Sequence, residues 1–293
     1  MNPLNITMRL RKCIIGAAVV AAGITGSLQT AGAGEPMGPR DLNAVENQGA
    51  PAGESRGPLV VAHRGFWKTA GAAQNSIAAM AEADSIGAYG TEFDVNLTAD
   101  SALVVNHDYR FKGVDIARAP AREVMGITLD NGEPLPSLNE FLAAAERHPD
   151  LRLVLELKWI DDPALERYAV GRIASAIDHF GIGHRTDFIS FSQNACDEMH
   201  RLRPAIPVFY LAGDLDPDTV AARGYRGMSY AHDKLDAHPD WIGRAHGLGL
   251  LVNVWTVDDT AMMRRFIDRG VDLITTNRPD LLNNLLDALP ESR

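Results

Sequence analysis

Cysteine is nearly missing from this chain. Of 293 residues only Cys13 and Cys196 are cysteines. Cys13 falls in an N-terminal segment with the marks of a removable leader, so no intrachain disulfide can form once that segment is gone. Cys196, within "SQNACDEMHRL", reads as a small buried hydrophobe and not as a nucleophile. A long apolar run is missing as well. The N-terminal stretch "CIIGAAVVAAGITG", from Cys13 to Gly26, is too short for a membrane span, which needs about 20 residues. Excess positive charge is absent: 28 Lys+Arg stand against 38 Asp+Glu, a net of −10. Residues 1–33 carry three basic and no acidic residues, so their removal takes the balance to −13. That argues against nucleic acid, or an anionic membrane surface, as the main partner. It leaves room for an anionic small molecule, because a bound cation reverses the local field. Finally, no G-x-G-x-x-G follows the first predicted strand, so dinucleotide binding has no support.

What is present begins with Arg9, Arg11 and Lys12, then the apolar run, then Ala31-Gly32-Ala33 in an A-x-A arrangement. This order predicts a secretory signal peptide over 1–33, hence an exported protein, periplasmic or secreted. Because Cys13 precedes the apolar run, a lipoprotein signal is not expected. Residues 34–57 are rich in Gly, Pro, Asn and Glu and are expected to form a disordered lead-in. The remaining residues, 58–293, suffice for one large core or two small ones.

From residue 58 onward, apolar strand-like runs alternate with amphipathic helical patterns. The runs are 59–64, 90–95, 152–159, 187–192, 207–213, 227–232, 250–257 and 272–277. Eight strand–helix units imply parallel strands with crossover helices, and the expected fold is a (β/α)8 TIM barrel. An open doubly wound sheet is the alternative. One stretch breaks the alternation. "EFDVNL", a turn at Thr98-Ala99-Asp100, and "ALVVNHD" predict a hairpin. Residues 96–150 therefore read as an insertion after the second barrel strand, with a helix near 137–147.

Strand alternation puts Thr91, Phe93 and Val95 on one face and Glu92 and Asp94 on the other. "LVLELKW" repeats the arrangement, with Val154, Glu156 and Lys158 on one face. If the polar faces point into the barrel, three carboxylates converge near its C-terminal mouth. Ionised in a dry space they would repel, so they either protonate or hold a cation. An all-oxygen set suits a hard ion, Mg²⁺ or Ca²⁺. Pairing with Lys or Arg is the plain alternative, and Lys158 is one ready partner. His63 and His107 each end a strand, where barrel enzymes keep their catalytic groups. Two imidazoles can act as general base and general acid. With Arg64 and Lys158 as cations, the set points to phosphoryl transfer. A sugar-cleaving carboxylate pair fits less well, since Glu92 and Asp94 sit side by side on one strand and cannot flank a substrate.

The motifs "AHRG" (62–65), "QNS" (74–76), "EFDV" (92–95), "NHD" (106–108), "LELK" (155–158), "NVWTV" (253–257) and "ITTNRP" (274–279) occur in order along the chain. This series resembles the signature of the glycerophosphodiester phosphodiesterase family. The resemblance implies a TIM barrel, metal-dependent hydrolysis of small-molecule glycerophosphodiesters, Glu92, Asp94 and Glu156 as metal ligands, and His63 and His107 as the acid–base pair. It further implies that Arg64 and Lys158 hold the phosphate and that Trp255 packs on the substrate's carbon chain, or else is a core aromatic. The implied route has the glycerol hydroxyl next to the ester attack phosphorus; the alcohol leaves, and water opens the cyclic phosphate. Two positions depart from the pattern: Gln74 stands where the family has glutamate, and Asn277 where it usually has aspartate. A phospholipase on the same barrel, and a non-catalytic periplasmic binding protein, are the competing expectations. The first would need an apolar lip, for which Phe111, Val114, Ile116, Val124, Met125 and Ile127 are candidates.

Overall fold

A computed structural model describes residues 57–69 and 71–289. The predicted leader at 1–33 lies outside the described residues, as does the lead-in apart from Gly57. In chain order the elements are β1 (Leu59–Ala62), α1 (Ile77–Ser85), β2 (Gly90–Leu97), β3 (Leu103–Val105), β4 (Arg110–Phe111), β5 (Val114–Asp115), α2 (Ala121–Val124), α3 (Leu138–Ala145), β6 (Arg152–Leu157), α4 (Pro163–Phe180), β7 (Thr186–Ser190), α5 (Gln193–Leu202), β8 (Val208–Tyr210), α6 (Pro217–Ala222), β9 (Gly227–Ala231), α7 (His232–Ala237), α8 (Trp241–Gly247), β10 (Leu251–Trp255), α9 (Thr260–Asp268), β11 (Leu273–Thr276) and α10 (Pro279–Asp287).

Eight of these strands pair in parallel in the order β1-β11-β10-β9-β8-β7-β6-β2, and β1 also pairs with β2. The second pairing closes the sheet into the expected barrel, and all eight predicted runs supply its strands. The two strand faces sort as alternation demands. Val61, Val154, Ile189, Phe209, Leu211 and Leu273 form one apolar cluster, the barrel interior. Phe93, Val95, Leu153, Leu155, Leu157 and Phe188 join the larger cluster with the helices. Cys196 sits fully buried in that second cluster, and desolvation raises its pKa, as expected of an inert thiol.

The predicted hairpin is present. β3 runs antiparallel to β2, with Val95 opposite Val105 and Leu97 opposite Leu103. The helix at the end of the insertion packs between α1 and α4. It is therefore the barrel's own crossover helix, and the inserted part is confined to the residues before it. The insertion carries a small core of its own: Val104, Ile116, Ala119, Val124, Leu129 and Leu135, with Phe111, Val114, Met125 and Ile127 against it. The Glu133 carboxylate accepts from the backbone N–H groups of Ile77 and Ala78. It thus satisfies donors in the first turn of α1 that have no partner within the helix, and it ties the insertion to the start of α1.

At the opposite end of the barrel, Arg152 of β6 makes two hydrogen bonds to the Asp187 carboxylate of β7, at 2.7 and 2.6 Å. Both side chains are buried. Removing one partner of such a pair strands the other charge in a dry environment. Arg152→Ala is expected to lower unfolding stability by roughly 3–5 kcal/mol, read as a fall in the urea midpoint. Turnover in the absence of denaturant should persist, since this pair lies away from the catalytic rim.

Candidate active site

Strand register assembles the site. Ala62 pairs with Thr91 in β2 and with Thr276 in β11. The next residues, His63, Glu92 and Asn277, therefore stand side by side on one rim. Between β2 and β6, Asp94 pairs with Glu156. Glu92, Asp94 and Glu156 are buried, and one carboxylate oxygen from each lies within 4.8 Å of the others. The convergence expected from sequence is thus present.

Three acids at this spacing cannot all ionise cheaply in a protein interior. Burial, then the neighbouring Asp94 and Glu156 charges, hold Glu92 well above the usual carboxylate range. Burial, then Asp94, raises Glu156 to about 7. Asp94 goes the other way: burial works to raise it, but Lys158, His107, Asn75 and Arg64 together pull it below its ordinary value. Lys158 Nζ lies 2.7 Å from Glu156 Oε1 and 3.3 Å from Asp94 Oδ1. Burial works to lower its pKa, and the Glu156 and Asp94 charges hold it above the ordinary lysine value. The pairing alternative is therefore half realised: one lysine serves two acids, and among the described residues Glu92 has no cationic side chain in hydrogen-bonding contact. Clustered, buried, all-oxygen and short of positive charge, the triad fits a hard divalent cation.

The loop after β1 bends sharply to serve this rim. Arg64 takes a left-handed φ of 57°, and Gly65 follows at 78°. A Cβ on Gly65 would lie 2.6 Å from the Ala79 backbone, so glycine is required by space as well as by φ. The bend aims the Arg64 N–H at Glu92 Oε2, 2.8 Å away. Arg64 Nη1 donates to Gln74 Oε1 at 2.6 Å. Its Nε sits 3.6 Å from Asp94 Oδ2 and has no hydrogen-bond partner. Gln74, the departure from the family pattern, thus holds Arg64 as a neutral acceptor.

His63 Nδ1 is 2.8 Å from Asn277 Oδ1, and its Nε2 is 4.0 Å from Glu92 Oε2. Burial, then Arg64, lowers its pKa to about 4. His107 reaches the same rim because Asn106 N donates to Asp94 O at 3.0 Å. Its Nδ1 lies 2.8 Å from the adjacent Asp108 Oδ1, a contact that neighbouring residues seldom make well. The Asp94 and His107 charges both act on His63, and His107 helps to pull Asp94 down. Trp255 is only partly buried. Its indole N–H donates to Ser229 O at 2.7 Å, and its ring meets Phe191 edge-on. A cavity of ≈ 360 Å³ opens beside the site, lined by Trp67, Gln74, Asn75, Asn106, His107, Asp108, Phe111, Leu129 and Asp130 among others.

Sequence reasoning missed Asn75. Its neighbour Ser76 caps α1. Asn75 instead sits at a left-handed φ of 61° and grips Asp94 with both ends of its side-chain amide: Nδ2 donates to Asp94 Oδ2 at 2.9 Å, and Oδ1 accepts from the Asp94 backbone N–H at 3.0 Å. Its place in the "QNS" motif was the available signal.

A profile of the Glycerophosphoryl diester phosphodiesterase family matches residues 63–281. A glycerophosphodiester phosphodiesterase of Caldanaerobacter subterraneus subsp. tengcongensis is 30% identical over 246 residues, 78% of this chain and 97% of that protein. The crystal structure of a glycerophosphodiester phosphodiesterase from Parabacteroides distasonis superposes with a TM-score of 0.78 at 43% identity, over 80% of this chain and 98% of that one. A phosphodiesterase from Oleispira antarctica, solved with the product sn-glycerol-3-phosphate, shares the fold at a TM-score of 0.69 and 22% identity, over 79% and 98% of the two chains. With register, site chemistry and relatives in agreement, this chain belongs to the glycerophosphoryl diester phosphodiesterase family and is an enzyme of that class.

Proposed function

We propose that the chain hydrolyses glycerophosphodiesters to glycerol 3-phosphate and an alcohol, with a divalent cation at Glu92, Asp94 and Glu156 and with His63 and His107 as the acid–base pair. The observation that carries this is the meeting of three buried carboxylates and two imidazoles on one barrel rim. A cation there would supply positive charge against phosphoryl oxygens as negative charge builds on them. The chain's own groups do the rest. Arg64, whose Nε lies 3.6 Å from Asp94 Oδ2 and makes no hydrogen bond among the described residues, and Lys158 supply the cationic groups for the phosphate. One imidazole takes the proton of the attacking hydroxyl while the other gives a proton to the departing alcohol. For the water that opens the cyclic ester the roles reverse. Trp255, fixed by Ser229 and Phe191, presents ring surface to the carbons of the substrate.

Export belongs to this proposal too and rests on the leader pattern at 1–33. The phospholipase alternative loses its motive. Of its six candidate lip residues, all pack into the insertion's own cluster, and Phe111 alone among them lines the cavity. A binding protein would need neither imidazole at this rim.

Three outcomes follow from these contacts. His63→Ala and His107→Ala should each lower turnover of glycerophosphocholine by roughly 10²-fold or more while circular dichroism and melting stay near wild type; an active, folded variant refutes the pair. Mg²⁺ or Ca²⁺ should raise the melting temperature, and a chelator should silence turnover. In the metal-free chain Glu156 keeps its proton up to about pH 7. Because that proton competes with the cation, the cation-induced melting shift should grow as pH rises through about 7. The shift should be lost in Glu156→Gln, and a shift independent of pH and of Glu156 would count against the site. Finally, glycerophosphocholine should be turned over faster than its acylated counterpart, and the reverse order would restore the phospholipase reading.

A further inference from the structure

The rim holds an arrangement behind His63 that none of the assigned roles uses. Asn277 Oδ1 accepts from Trp67 Nε1 at 3.1 Å and stands 2.8 Å from His63 Nδ1. Its side-chain N–H donates to Asp258 Oδ2 at 2.8 Å, and its backbone N–H donates to Asp258 Oδ1 at 2.7 Å. Thr276 Oγ1 adds a third donor to Asp258 Oδ1 at 3.0 Å, and Lys68 Nζ lies 3.9 Å from Oδ2. Burial alone would raise the Asp258 pKa; the Asn277 and Thr276 hydrogen bonds and the Lys68 charge outweigh it and hold the carboxylate ionised.

The end groups of this chain have fixed roles. An indole N–H can only donate, and an ionised carboxylate can only accept. Held between Trp67 and Asp258, the Asn277 amide has one orientation, oxygen toward Trp67 and nitrogen toward Asp258. That oxygen also faces His63 Nδ1, so Nδ1 must carry the proton. The lone pair is then left on Nε2, the atom that faces Glu92 and the cation site.

We propose that Trp67 and Asp258 are positioning residues: acting through the Asn277 amide, they lock His63 in the Nδ1–H tautomer and thereby make it the base of the pair. This rests on the catalytic reading of His63 given above. With only a lone pair at Nε2, His63 takes the proton from the attacking hydroxyl as its oxygen bonds to phosphorus. The phosphorus–oxygen bond to the alcohol breaks, and that oxygen collects its proton from His107. In the second step His63 returns the proton to the hydroxyl oxygen as water, deprotonated by His107, opens the cyclic ester. A neutral amide orients the ring without placing a further negative charge beside the triad, where an aspartate at 277 would add one.

The test uses full-length protein labelled with ¹⁵N-histidine, in chelator and in excess Mg²⁺, together with steady-state kinetics on glycerophosphocholine. Nitrogen shifts report the tautomer whether or not substrate is turned over, so the lock can fail independently of the proposed function. Wild type should have His63 protonated at Nδ1 and bare at Nε2. The double variant Trp67→Phe/Asp258→Asn removes both constraints and frees the amide to flip. It should lose the single tautomer and lower kcat roughly 10²-fold, the scale of one general base, with KM within about twofold. Wild-type His63 protonated at Nε2 overturns the proposal. So does a double variant in which either the tautomer or kcat stays at the wild-type value. If the double variant does not fold, Asn277→Leu, which removes the amide itself, is held to the same two readouts, and the wild-type spectrum decides on its own.

Discussion

Mutual repulsion among Glu92, Asp94 and Glu156 is the constraint around which the rim is built. Asp94 pairs with Glu156 in the β2–β6 register, so the barrel's own closure forces the acids together. A dry interior makes that costly. The chain answers with Lys158 between two of them, the Arg64 backbone N–H on the third, and Asn75 gripping Asp94 from a strained backbone position. Much of this packing is intelligible as the means of keeping a cation-ready cluster in place. Strain of this kind at Arg64 and Asn75 persists only where surrounding contacts over-determine it.

The second theme is that the two histidines are held by different means. His63 is half-buried, neutral over most of the pH range, and fixed by an amide just after the last barrel strand. His107 is more open and leans on the carboxylate next to it in sequence. Two chemically identical side chains are thus given unlike surroundings, which is how a site separates acid from base. The insertion contributes to both ends of this arrangement. It carries His107 at the exit of β3, and through Glu133 it fastens the first turn of α1, which follows Gln74 and Asn75.

Much of the architecture was legible in the sequence. Eight apolar runs at crossover spacing give the barrel, because buried parallel strands must be apolar and must be joined by helices. Alternation in "TEFDV" and "LVLELKW" gives the facing of the acids, because strand side chains have period two. The insertion was harder. Its end is not marked in the pattern, because α3 has the same amphipathic spacing whether it serves the barrel or an inserted unit, and only its neighbours α1 and α4 tell which.

What the sequence by itself determined is which residue types lie on which face of which strand, and hence that carboxylates and histidines gather at one end. What only the tertiary structure decided is who touches whom. Asn75, Trp67, Asp258 and Asn277 reach the site from loops and from the far end of the chain, and Asn277 stands 214 positions from the histidine it holds. Periodicity is a local property and carries no information about such meetings. Strand register and loop geometry set them, and both exist only once the barrel has closed.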